Sequence, residues 1–159
     1  MYFSNNNPNI NGVEKIKTAV FSILKDNPNT NITITQICKH ANINRSTFYA
    51  HFCDIYQMFD YFEEKLTSAN FTITNTNLTQ QYIIEVLKFI KIHKNFYLTY
   101  LSFPESNVMH LFGYDLSNPP DYQSVFNIAG TKEAIKLWLN NNCKDDIQNL
   151  ATILFNQLT

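Results

Sequence analysis

In four separate segments of this 159-residue chain, apolar residues recur three and four positions apart. Val13, Ile16, Val20, Ile23 and Leu24 form the first stripe, which stops before Pro28; Ile55, Met58, Phe59, Phe62 and Leu66 form the second. Ile83, Val86, Leu87 and Ile90 make a third, and Ile147, Leu150, Ala151, Leu154 and Leu158 the last. That spacing puts each set on one face of an α-helix. Three glycines and five prolines are too few for the many tight turns of an all-β fold. The chain is therefore expected to be all-α.

Between the first two stripes, Ile32 and Ile34 alternate with threonines as a strand would, but Thr35 followed by Ile37, Cys38 and Ala41 fits a short helix with Thr35 as its N-cap. Asn42 tolerates the left-handed conformation that ends a helix in a sharp turn. A second short helix then begins at Asn44 or Arg45 and carries Phe48 and Phe52, four apart, on its apolar face. Asp54 suits the N-cap of the next helix. The polar, threonine-rich segment Thr67 to Asn77 marks the boundary between residues 1–66 and 67–159. Beyond the third stripe, Phe96, Tyr97, Leu98 and Leu101 predict a short helix before Pro104, and Glu105 to Leu116 is expected to be helical. The paired prolines of Ser117 to Tyr122 break the chain. Val125, Ile128, Ala129, Ile135, Trp138 and Leu139 then predict a long helix, and Asp145 or Asp146 caps the last.

Chemistry is bounded as tightly. Net charge is −1, with six basic and six acidic residues up to Leu66, and six and seven after it. Neither part is a polycation, which still leaves room for a local basic face. Cys38, Cys53 and Cys143 are odd in number and lack a C-x-x-C pair, so a disulfide framework is not expected and a reducing compartment is. Cys38/His40 and His51/Cys53 are two apart, and side chains two apart on a helix point in different directions; His93 and His110 have no partners at metal spacing. No G-x-S-x-G, phosphate loop or dinucleotide-binding glycine pattern is present, so neither an enzyme nor a cofactor is expected. There is no basic-then-apolar leader and no apolar run of the ~20 residues that span a membrane, which predicts a cytoplasmic protein with no membrane partner.

Two short helices joined at an asparagine turn, the second opened by Asn44-Arg45-Ser46-Thr47, fit a helix-turn-helix. The segment Ile34 to Leu66 resembles the DNA-binding domain of the TetR family of transcriptional regulators: Thr47, Phe48, Tyr49, His51 and Phe52 fall in register on that family's pattern. The resemblance implies a helix-turn-helix DNA-binding domain over residues 1–66 and a helical regulatory and dimerisation domain over 67–159. Within the second part, Phe126 to Leu154 is similar to the end of the family branch that regulates dihydroxyacetone kinase.

The implied function is a homodimeric repressor that reads a near-palindromic operator in double-stranded DNA under the control of an unidentified small-molecule effector; a co-regulator of the same fold acting through protein partners is the alternative. Arg45, the chain's single arginine, would contact guanine or a phosphate. Asn44, Ser46 and Thr47 stand beside it, the two hydroxyls suiting either DNA or helix capping. The resemblance gives Tyr49 a phosphate contact, and His51 either a phosphate or a bridge between helices. Thr35 would present its hydroxyl and the helix N-terminus to a phosphate; Lys39 and His40 are further candidates. In the family the last two helices form a four-helix dimer interface, which here implies Ala129, Gly130, Ala134, Trp138, Leu150 and Leu154. The lysine that many members carry at the start of the fourth helix is replaced by Ile55, leaving Lys15 and Lys17 as substitutes.

Overall fold

The computed structural model describes residues 8–27, 31–71, 78–114 and 121–159. Residues 72–77 of the expected boundary segment and the paired prolines 119 and 120 lie outside these ranges. Among the described residues the chain is all-helical, with no strand, and it divides into two compact units at Leu66 and Thr67.

The first unit holds α1 (Pro8–Asp26), α2 (Ile34–Ala41), α3 (Arg45–Tyr49) and most of α4 (Ile55–Ser68). Its core is the set the periodicity selects: Ile16, Val20 and Leu24 of α1, Ile37 of α2, Phe48 of α3, and Met58, Phe59 and Phe62 of α4 are all buried. Each such side chain contributes about 1.5–3 kcal/mol on leaving water. Phe52, just beyond α3, ties the turn to α4, its ring centroid 5.8 Å from both Phe48 and Phe62.

The cap of α2 differs from expectation. Thr33, not Thr35, is the N-cap: its Oγ1 accepts from the Gln36 backbone N–H at 3.2 Å while Gln36 Oε1 accepts from the Thr33 N–H at 2.9 Å. That reciprocal pair needs a glutamine three residues after the threonine, which Thr33 has and Thr35 lacks. At the other end Asn42 is left-handed, at φ 51° and ψ 52°, and the Ile43 N–H reaches back to the Cys38 carbonyl at 3.0 Å. Asp54 Oδ1 accepts from the Gln57 N–H at 2.8 Å, opening α4.

In the second unit α5 (Gln80–Ile92) packs on α8 (Ile147–Leu158), while α7 (Tyr122–Asn140) meets both α6 (Lys94–Tyr100) and α8. Thr79, Asp121 and Asp146 cap α5, α7 and α8 by accepting from backbone N–H groups. The stretch expected to be helical from Glu105 to Leu116 is not: only a 3-10 turn, Met109–Phe112, forms among its described residues, and Gly113 at φ 78° ends it. Local bonds compete with a helix there. Asn107 exchanges backbone bonds with the Tyr100 hydroxyl, and its Oδ1 takes the Met109 N–H at 2.8 Å.

Helix α7 also departs from the predicted stripe. Its buried positions are Asn127, Thr131, Ile135, Trp138 and Leu139, so the first half of its inner face is polar. Asn127 is satisfied there: Oδ1 accepts from Gln123 and Gln157, at 2.9 and 2.8 Å, and Nδ2 donates to the Tyr114 hydroxyl at 2.9 Å. Val125, on the predicted stripe, is exposed, and so is Ala129, which the resemblance implied for a dimer interface.

Candidate nucleic-acid interface

Helix α3 begins after Asn44, whose extended backbone, φ −80° and ψ 156°, takes the N-cap position without a side-chain cap bond. Ser46 and Thr47 thus lie within the helix rather than at its cap. With Phe48 turned into the core, the ~100° rotation per residue distributes the rest around it. Ser46 and Ala50 form the exposed middle, Arg45 and Tyr49 one flank, and Asn44, Thr47 and His51 the other.

The Arg45 flank is organised. Arg45 Nη1 donates to Thr35 Oγ1 at 3.2 Å and Nη2 to the Tyr49 hydroxyl, also at 3.2 Å. The guanidinium carbon lies 5.8 Å from the Tyr49 ring centroid, within reach of a cation–π contact. Tyr49 is 47% exposed and stands edge-on to Phe48, centroids 5.6 Å apart, so the core side chain braces the exposed one. Three residues from two helices thereby present a cation and two hydroxyls together, all suited to phosphate oxygens or base edges. Burial pushes the Cys38 thiol above its usual range, with the Arg45 charge pulling weakly the other way.

The second flank faces α1. His51 is half-buried, and a Cβ placed on Gly12 would collide with its Nε2. Asn44 and Thr47 line a groove of about 670 Å³ with Gly12, Lys15 and Lys39. The predicted DNA contacts are therefore not one cluster: Thr35, Arg45 and Tyr49 are joined, Ser46 is exposed between the flanks, and Asn44, Thr47 and His51 belong to the α1 side. At the start of α4, Ile55 is half-buried and the exposed Cys53 and Asp54 precede it, so no cation stands there.

Of the six dimer candidates, Ala129 and Gly130 are exposed and Ala134 is half-buried. A Cβ on Gly130 would meet nothing within 4 Å. Trp138, Leu150 and Leu154 are buried within the second unit, and Trp138 Nε1 donates to the Asp145 carbonyl at 3.1 Å. The residues that reasoning from periodicity missed lie on the outer face of α7: Tyr122, Val125, Phe126 and Leu137 are exposed, Tyr122 by 98%, Phe126 by 67% and Leu137 by 72%. With Ala129 and Gly130 they recur at helical spacing, an outward stripe that is apolar except for the exposed Glu133 before Leu137. Its signal in the sequence was Asn127 and Thr131, polar residues sharing the helix with apolar neighbours.

Among the described residues no group of three or more His, Cys, Asp or Glu is placed to hold a metal, and no helix is long and apolar enough to cross a membrane.

No protein-family model matches the sequence, and no curated protein matches it. Among solved structures the chain is similar to a dihydroxyacetone kinase operon activator, DhaS, at 17% identity and a TM-score of 0.44, over 92% of this chain and 93% of that one. A likeness of that depth fixes neither family nor function.

Proposed function

We propose that the chain is a sequence-specific DNA-binding regulator of transcription that acts as a homodimeric repressor on a near-palindromic operator. The observation that carries this reading is Arg45, held between Thr35 and Tyr49 on the exposed side of a helix-turn-helix. A guanidinium fixed in its fork geometry can meet guanine bidentately, worth about 1–3 kcal/mol of discrimination. Dimerisation is supported by the outward stripe of α7, where Tyr122, Val125, Phe126, Ala129, Gly130 and Leu137 would meet a second copy. Two α3 helices would then read half-sites about one DNA turn apart, ~34–36 Å, or somewhat farther. An effector bound in residues 67–159 would release DNA by favouring a different separation. Anisotropy titrations against duplexes selected from a random pool test the reading: nanomolar to micromolar binding with a selected motif supports it, and a folded dimer that selects nothing at low salt removes it.

One observation favours a second reading, a co-regulator that docks on another protein. The first unit is electrically neutral and presents Ile55 where a cation would grip the backbone. A stable hetero-complex together with salt-independent DNA association would favour it.

A further inference from the structure

We propose that the groove between α1 and the α2–α3 turn is a second cradle for the DNA backbone, with Lys15 and Lys39 as its phosphate-holding cations; the proposal rests on the DNA-binding reading above. The groove measures about 670 Å³, room for a sugar-phosphate unit rather than a lone ion, and its wall carries Lys15, Lys39, Asn42, Asn44 and Thr47 with no acidic side chain among the described residues. Gly12 forms part of its α1 edge. A smaller hollow of about 380 Å³ continues along α1 and shares Lys15. It contains Glu14, whose carboxylate pairs with Lys17 at 3.6 Å.

Geometry explains why two cradles are needed. A helix inserted in the major groove, ≈12 Å wide, runs between two phosphate backbones. On α3 the exposed middle, Ser46 and Ala50, is flanked by Arg45 and Tyr49 on one side and by Asn44 and Thr47 on the other. The first flank, with Thr35, meets one strand; the second, extended by Lys15 from α1 and Lys39 from α2, meets the other. Asn44 makes no cap bond with its side chain, so its carboxamide is available to donate. This places the compensating cations on the α1 side of the recognition helix rather than at the start of α4, where Ile55 stands.

The test measures how the affinity of the full-length protein for a short random-sequence duplex depends on salt. Every phosphate that a variant no longer neutralises reduces the slope of log K against log salt by about 0.9. The Lys15→Ala/Lys39→Ala double variant is expected to lower the slope by about 1.8 per protomer. Lys25→Ala/Lys65→Ala, an equal charge change in the last turns of α1 and α4, is expected to keep the slope within about half of one phosphate's share. An unchanged slope in the first variant, with the wild type still binding, overturns the cradle. Equal reductions in both variants also overturn it, because net charge alone would then account for the effect. If the wild-type protein, folded, binds no DNA, the DNA reading fails and takes the cradle with it.

Discussion

Arg45 and Thr35, ten residues apart in sequence, are joined by a hydrogen bond of 3.2 Å from Nη1 to Oγ1. The bond links the N-terminal turn of α2 to the first turn of α3, and Tyr49 holds the other guanidinium nitrogen. Holding a flexible side chain before binding lowers the entropy lost on complex formation.

Arg45→Ala is accordingly expected to relax discrimination between a preferred site and random DNA by about 1–3 kcal/mol, a factor of roughly 5 to 150. Arg45→Lys should not restore it, because an ammonium cannot span two partners in a planar fork. Competition anisotropy measures the ratio. An unchanged ratio in Arg45→Ala would rule out base reading by this residue; a uniform loss of affinity would then assign it to a phosphate, and no loss to solvent.

Gly12 and His51 should be energetically coupled. A methyl at Gly12 would crowd the imidazole Nε2, against the usual gain from replacing glycine in a helix. Gly12→Ala is expected to be neutral or destabilising in the wild type but to stabilise the His51→Ala protein by about 0.5–1 kcal/mol. Denaturant midpoints of the four proteins in the cycle measure it, and additivity would show that the imidazole simply moves aside.

Core and interface can be separated on one helix. Phe126→Glu, at an exposed position, should dissociate the proposed dimer in sedimentation without lowering the stability of the monomer. Trp138→Ala, at a site 3% exposed, should cost about 3–5 kcal/mol of folding stability. A dimer unaffected by Phe126→Glu would place the interface off this stripe.

His93 lies against Phe89, ring centroids 4.7 Å apart, and burial holds its imidazole below the ordinary 6.5. The unfolded chain then binds the proton first, so stability should be complete above about pH 6.5 and fall as pH drops through that value toward the lower folded one. The NMR titration midpoint of the His93 ring proton checks the sign. A midpoint at or above 6.5 would contradict it, and His93→Gln should flatten this part of the pH profile.

The helix-turn-helix was legible because its signals are local. Asn42 at the turn and Phe48 and Phe52 on one face each act within a few residues, and all three sit as their sequence context predicts. Two features were not. The choice of Thr33 over Thr35 as cap depended on a reciprocal glutamine, so a threonine-rich run held two reasonable candidates. Helix α7 was harder for a deeper reason: periodicity assumes that apolar means buried. Here Asn127 is buried because Gln123, Gln157 and Tyr114 satisfy it, and Phe126 next to it is turned outward. Spacing along α3 does put Arg45 and Thr47, two apart, on different sides; what spacing could not show is which neighbours each side meets, Thr35 of α2 for Arg45 and the α1 groove for Thr47, since that follows from where α1 and α2 pack.

Whether the chain selects DNA by sequence through α3 is tested by selecting bound duplexes from a random pool with the wild-type protein and sequencing them. The expected result is an enriched near-palindromic motif with half-sites about one helical turn, ~34–36 Å, or somewhat more apart. A folded, dimeric protein that enriches no motif at low salt would contradict sequence reading by α3.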